Sequence, residues 1–320
     1  MRIATFNIEN LDFPIKHRLA VLRPALKRLE ADILCLQEVN GQKLPHSSER
    51  QLGALEQLLD GTEYADFHRA ETHSERHVGV ASTHNLVTLS RYPIIESRQI
   101  WHHHVPAASV RLCSVDNHDS SPTTARFDRP ILSTVLDVDQ VKMHVINVHL
   151  RAPLASSIPQ QKISPFSWKS TGAWAEGYYL SSLKRTGQAL EVRLTVDEIF
   201  DADSTAQIVV TGDFNAEEHE TGPRIIAGAA EDTGNAELSG KSLVLLDRAI
   251  DPGRRFSVIH HGRRQMLDHI FVSHELYGRF RSISIHNEAL GDEVVGYSKG
   301  LEPAGSYHAA LVATFAPVKH

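Results

Sequence analysis

Eight short runs rich in Val and Ile recur along the chain, at residues 3–8, 32–36, 86–89, 131–138, 141–150, 207–210, 266–272 and 309–315. Polar residues, Gly or Pro bound each run, the pattern of buried strands meeting turns. The stretch LDVDQVKMHVINVHL reads as two strands around a tight turn near Asp139-Gln140. Helical spacings intervene. Leu19, Leu22, Leu26 and Leu29 predict one helix, which Pro24 must cap or kink. Leu190, Leu194 and Ile199 predict a second, and Leu52, Leu55, Leu58 and Leu59 a third. Hairpins mixed with helices predict an α/β protein with antiparallel sheets rather than a purely parallel wound sheet. With no repeat or low-complexity linker, the 320 residues are expected to form a single domain, 1–320. Residues 71–77, 102–129 and 151–178 are read as loops, the last two as insertions.

The informative polar residues stand at the ends of these runs. Asn7 and Glu9 end the first, Glu38 the second and His149 the hairpin. Asp213 and Asn215 follow IVVTG, Asp268 and His269 lie in QMLDHIFVS, and His308 lies in SYHAALVATF. Any one of them has an ordinary explanation, since strand-end polar groups often satisfy backbone donors or solvate a turn. Carboxylates, carboxamides and histidines at six strand ends together point to one rim of a pair of sheets.

In this order the motifs TFNIEN, DILCLQEV, NLVTLSRYPI, INVHL, GDFNAE, LDHIFVS and SYHAALV span residues 5 to 312. The set resembles the endonuclease/exonuclease/phosphatase superfamily, which includes DNase I-like nucleases, abasic-site endonucleases, sphingomyelinases and inositol-phosphate phosphatases. The resemblance implies a four-layer α/β/β/α sandwich of two mostly antiparallel sheets flanked by helices, with the site at one rim. It implies a divalent-metal-dependent hydrolase of phosphoric diesters, either a nuclease or a small-molecule phosphodiesterase. A phosphomonoesterase or a lipid head-group phosphodiesterase is the alternative, and a non-catalytic binding module the least favoured one.

The chemistry fits those residue types. A phosphodiester resists attack because its anionic oxygens repel nucleophiles and its alkoxide leaves poorly. A hard cation held by carboxylates eases both problems, and Mg²⁺ or Mn²⁺ is the expected cofactor. Glu38 suits the ligand role, with Asn7 and Glu9 nearby. Asp213 could take a proton from the attacking water, and Asn215 could orient that water. His149 and His308 could donate to the oxygens where charge develops, with Asp268 fixing the tautomer of His308. One departure stands out: the family commonly has Asp before this last His, and here the stretch reads Ser306-Tyr307-His308. Tyr307 either packs or brings its hydroxyl to the substrate.

Other candidates concern substrate binding. Arg263 and Arg264, like Arg254 and Arg255, flank the approach to LDHIFVS and could clamp a phosphate. Phe166, Trp168, Trp174, Tyr178 and Tyr179 alternate with Lys162 and Lys169. Such a loop could stack bases or shield an ester, so Trp168 and Trp174 join the candidates and 151–178 is read as a specificity lid. In WHHHVP an extended segment would turn His102 and His104 one way and His103 the other. An ordinary loop is the expectation there. ETHSERH at 71–77 could line the cleft or be solvated.

A formal net charge of −6 disfavours a protein built to coat duplex DNA. The expected partner is a phosphodiester, with single-stranded or short nucleic acid a candidate, and no membrane or protein partner. Cys35 lies among apolar neighbours and should pack as a small hydrophobe. The absence of a signal-like leader or an apolar span places the expectation in the cytoplasm.

Overall fold

The computed structural model describes residues 1–43, 47–75, 78–115, 122–299 and 303–318. Two six-stranded sheets dominate it. The first has the order β11-β12-β1-β2-β4-β3, built from β1 (Arg2–Leu11), β2 (Ile33–Val39), β3 (His68–Glu71), β4 (Asn85–Ser90), β11 (Phe280–His286) and β12 (Ala310–Phe315). The second has the order β9-β10-β8-β7-β6-β5. Its strands are β5 (Ile94–Ile100), β6 (Ile131–Val138), β7 (Val141–His149), β8 (Gln207–Asp213), β9 (Val244–Leu245) and β10 (Asp268–Val272). Within each sheet one central pair is parallel, β1 with β2 and β7 with β8, and the other pairs are antiparallel.

Strand alternation explains the layering. Ile3, Ile33 and Cys35 of the first sheet share one buried cluster with Val145, Val209 and Ile270 of the second. Their neighbours Ala4, Phe6, Leu34 and Leu36 turn to the other face, against Leu22, Leu26 and Leu29 of α1 (Lys16–Leu29) and Leu55 and Leu58 of α2 (Gly53–Leu59). Ile146, Val148, Ile208 and Val210 do the same against Val192, Val196 and Ile199 of α3 (Thr171–Ala202). α4 (Thr221–Ala227) packs beside α3. Each fully buried Val, Leu or Ile contributes about 1.5–3 kcal/mol relative to exposure. The period of two thus yields helix, sheet, sheet, helix, as the fold class expected from sequence requires.

Several local expectations need revision. α3 starts at Thr171, where Ser170 Oγ accepts the Ala173 N–H at 3.1 Å, so 171–178 is helix rather than loop. Its apolar residues form no single stripe, and Trp174, Tyr178 and Tyr179 lie on exposed helical turns. Pro24 lies inside α1 rather than at its start. Residues 102–129 contain a short antiparallel strand pair, 108–110 with 123–125. At Asp139-Gln140 the expected turn is present, both residues having positive φ, as a two-residue hairpin turn matched to strand twist requires.

Candidate active site

One end of the sandwich collects the chemistry, because of which strand ends meet there. Parallel β1 and β2 deliver their C-terminal ends, and their antiparallel neighbours β12 and β4 deliver N-terminal ends. The second sheet repeats the plan with β7 and β8 against β10 and β6. Inward-facing positions grade from apolar at mid-strand to polar at this rim: Ile3, Thr5 and Asn7; Val145, Asn147 and His149; Val209, Thr211 and Asp213. Register then aligns His149 with Asp213, and Asp213 with Asp268, across three adjacent strands. Gly212 is demanded by closeness: with φ at 141°, a Cβ there would lie 1.9 Å from the Val148 carbonyl oxygen.

Backbone strain concentrates at the same rim. Glu9, Asn10, Glu38, His84 and Asn215 all adopt positive φ. Strand pairing slips between Asn7 and Leu11 in β1 and between Leu36 and Val39 in β2. These bulges re-aim Glu9 and Glu38. Buried Arg18 braces the first bulge, its guanidinium donating to the carbonyls of Ile8, Glu9 and Gly305.

Asp213 is the hub. Its Oδ2 accepts from Asn7 Nδ2 at 3.0 Å and Asn215 Nδ2 at 3.1 Å, and its Oδ1 accepts the Asn215 N–H at 2.8 Å. His149 Nε2 is 3.4 Å and His308 Nε2 3.9 Å from Oδ2. Asn7 Nδ2 also donates to Glu38 Oε1 at 3.1 Å, while its Oδ1 accepts the Glu9 N–H at 3.0 Å. Asn7 therefore clasps two carboxylates. Glu38 Oε2 accepts the Asn10 N–H at 3.1 Å, and His84 Nδ1 lies 3.7 Å away. His308 Nδ1 donates to Asp268 Oδ2 at 2.8 Å, and Ser257 Oγ accepts the Asp268 N–H at 3.1 Å.

The electrostatics divide the site. Burial, reinforced by Asp268 and Glu38, pushes the Asp213 carboxyl up to about 7, although His308 opposes the rise. Burial disfavours charge on His308, but Asp268 and Asp213 overcome it and hold the imidazole well above its usual range. His149 goes the other way: burial and the Arg129 guanidinium hold it well below. Arg129 Nη1 lies against both ring nitrogens of His149, and no carboxylate pairs with Arg129 among the described residues.

Arg129 and His84 escape sequence reasoning. Both precede strands, and only the topology reveals that those strand starts share a rim with other strands' C-terminal ends. Glu9 is near but engaged, its carboxylate accepting from the Tyr297 hydroxyl and, at 2.7 Å, from the Tyr307 N–H. The Tyr307 ring is buried, packed on Tyr297 and so close to Gly296 that a Cβ there would collide with its hydroxyl. Arg263, Arg264, Trp168 and Trp174 make no hydrogen bond or ion pair with the rim cluster among the described residues. Arg263 is exposed. Arg264 stacks on Phe256 and donates to the Gly253 carbonyl. Lys162 lies over Trp168, Trp168 abuts Gly177 of α3, and Trp174 is half exposed beside Tyr178. His77 of the 71–77 stretch lies outside the described residues.

The donor set fits a divalent cation. Glu38, His84 and His149 bring ligand atoms within 4.8 Å of one another, as do Asp213, Asp268 and His308. Two buried polar atoms at the rim, His84 Nδ1 and Asp268 Oδ1, have no hydrogen-bond partner among the described residues.

A sandwich of two mixed sheets between helices, with acids and imidazoles gathered at one rim, defines a class of phosphoester hydrolases. The sequence matches the Endonuclease/Exonuclease/phosphatase family model over residues 4–308, and the chain belongs to that family. Among solved structures it is similar to an endonuclease/exonuclease/phosphatase family protein from Leptotrichia buccalis, with 16% identity, 99% of each chain covered and a TM-score of 0.55. An AP endonuclease from Archaeoglobus fulgidus is similar at 16% identity, with 98% of this chain and 99% of that one covered and a TM-score of 0.55. A 3' phosphatase, NExo, from Neisseria bound to a product DNA hairpin gives 17% identity, 99% of each chain and a TM-score of 0.53. At these identities the likeness concerns the fold. A search of curated proteins by sequence found no match.

Proposed function

We propose that this chain is a divalent-metal-dependent phosphodiesterase that attacks with water and forms no covalent enzyme intermediate. Its substrate is a short or single-stranded nucleic acid or a small phosphodiester. The supporting observation is Asp213, a buried carboxylate pushed up to about 7 and held by two carboxamides between two histidines of opposite character. A base of that strength suits proton removal from water near neutral pH. Glu38 would hold Mg²⁺ or Mn²⁺, with Asn7 and Glu9 fixing the strand around it. Such a cation, when bound, polarises a phosphoryl oxygen and makes a bound water more acidic.

The remaining roles belong to the chain. Asn215 spends its amide on Leu150 O, at 3.0 Å, and on Asp213, leaving Oδ1 to accept from a water. His308, protonated against Asp268, donates to an oxygen where charge develops. Neutral His149 backs Asp213 without adding charge. Arg129, which forms no ion pair with a carboxylate among the described residues, is the resident donor for a phosphate oxygen. The net charge of −6 favours short or flexible substrates over long duplexes. A phosphomonoester is the second reading, favoured by Arg129 and His308 as two cationic donors for a dianion.

Hydrolysis of bis(para-nitrophenyl) phosphate in Mg²⁺, Mn²⁺ or EDTA tests the reading, with para-nitrophenyl phosphate and labelled single-stranded and duplex DNA alongside. Metal-dependent diester cleavage that Asp213→Asn abolishes and Arg129→Lys weakens is the expected result. Cleavage of the monoester alone would replace the diesterase reading, and diester cleavage undiminished in EDTA would remove the metal from it.

A further inference from the structure

Away from the rim, the three consecutive histidines 102–104 follow β5, and the backbone of the last two is hydrogen-bonded to α3. The structure separates their roles. His102 is satisfied: Nδ1 donates to the Val105 carbonyl at 2.9 Å and Nε2 accepts the Phe127 N–H at 3.1 Å. His103 and His104 instead converge on Glu198 of α3, and the three bring one ligand atom each within 4.8 Å of the others. This pairing differs from the extended-strand expectation, because residues 101–105 form a series of bends.

The loop is built rather than incidental. Fully buried Glu191, two helical turns before Glu198 on the same face of α3, accepts three successive backbone N–H groups. His103 and His104 donate to Oε1 at 2.9 Å each, and Val105 donates to Oε2 at 2.7 Å. A carboxylate at the centre of three backbone donors fixes where the two imidazoles project. His104 Nε2 is buried and has no hydrogen-bond partner among the described residues. It lies 3.5 Å from Glu198 Oε2, close to the ~3.4 Å edge of a tetrahedron with bonds of about 2.1 Å. The rings of His103 and His104 meet edge to face, their centroids 4.6 Å apart, with one nitrogen of each within 4.8 Å of the other and of a Glu198 oxygen.

We infer that His103, His104 and Glu198 form a second metal site, selective for a borderline transition ion such as Zn²⁺. Two imidazoles and one carboxylate favour Zn²⁺ over Mg²⁺ or Ca²⁺, which prefer oxygen. The fourth position faces solvent and takes water, and the bound ion staples the 101–105 segment to α3. Arg98 Nη2 lies 3.3 Å from the same Glu198 oxygen and is the cation that the metal displaces. The inference does not depend on the activity proposed for the rim.

Zinc titration of the full chain against a chromophoric chelator tests it, with Asp213→Asn used to keep the rim in view. Wild type and Asp213→Asn should both bind an equivalent of Zn²⁺ that His103→Asn/His104→Asn lacks and that excess Mg²⁺ does not displace. Glu198→Gln, at a solvent-facing carboxylate, should weaken that equivalent by about tenfold or more, and Arg98→Ala should tighten it. Equal zinc stoichiometry and affinity in wild type and the double variant would overturn the site. If the double variant does not fold, unchanged affinity in Glu198→Gln would overturn it equally.

Discussion

Buried His149 and half-buried His308 stand at one rim, both face Asp213, and are driven in opposite directions. The pair at His308 is anionic, Asp268 and Asp213, and overcomes the cost of burying charge. His149 also faces carboxylates, Asp213 at 3.4 Å and Glu38 at 3.7 Å, but Arg129, His84 and His308 add to the cost of burying its charge. Burial alone therefore does not determine a histidine's state here; the balance of cationic and anionic neighbours does. In the proposed reaction the division would put a proton donor on one side of Asp213 and a neutral imidazole on the other.

The strongest way to break this comparison is to remove its hub. Asp213→Asn keeps the shape but removes the carboxylate proposed as the base, and kcat/KM should fall by about 10³-fold or more. Because burial raises the Asp213 carboxyl, its ionised form costs stability at high pH. The Asn variant should accordingly melt higher than wild type above neutrality, a readout that a misfolded variant would fail. Next comes His308→Gln, expected to cost about 10²- to 10³-fold. Asp268→Asn should act partly through His308: with its counter-charge gone, His308 loses its proton at lower pH. The falling limb of the pH–rate profile should then move to lower pH. A limb that stays in place would show that His308 is not the acid.

Arg129→Met sharpens the other half. It should lower kcat/KM by about tenfold to a hundredfold, and it should raise the pKa of His149, measurable in the imidazole nitrogen shifts. Tyr307→Asp asks whether the family's usual residue could be restored. Because the ring fills space against Gly296 and Tyr297, the change should destabilise the fold by about 3 kcal/mol or more in urea melts. It also places a second carboxylate beside Glu9.

The smallest effect concerns His269, behind the site. Its Nδ1 faces Asp247 Oδ2 at 3.1 Å and its Nε2 faces the Ala216 carbonyl at 2.9 Å, so both nitrogens have acceptors and the ring is an imidazolium. Burial opposes that charge, but Asp247 raises its pKa above the usual value. A raised folded-state pKa gives stability that is full below the unfolded value of about 6.5 and is lost as pH rises through the folded value. The stability gap between wild type and His269→Gln should therefore shrink on going from pH 6 upward. A gap constant with pH would show that the ring is neutral.

Much of the fold was legible because buried strands and strand-end polar residues leave local signals. Residues 131–138 and 141–149 and the turn between them follow from alternation and turn chemistry alone. The edge strands β3, β5 and β11 did not stand out, since edges alternate exposed polar residues and need no apolar run. The first two turns of α3 were obscured by exposed aromatics and by glycines at 172 and 177, one of which admits Trp168. In the site, Asn7, Glu38, His149, Asp213, Asn215, Asp268 and His308 converge from far apart in the chain. Trp168, Trp174, Arg263 and Arg264 do not join them, because aromatic or basic composition carries no information about direction.

By itself the sequence determined the strand and helix periods, the polar residues at strand ends and the family to which the chain belongs. Tertiary structure decided which strand ends share a rim, and so brought in Arg129 and His84. It also set the two sheets face to face through a fully buried amide network. Gln37 Nε2 donates to Asn147 Oδ1 at 2.8 Å, and Asn147 Nδ2 donates to the carbonyls of Leu36 and Val87. Buried amides must find partners, and one relative placement of the sheets supplies them. The charge of each histidine followed only then, because it depends on neighbours contributed by other strands.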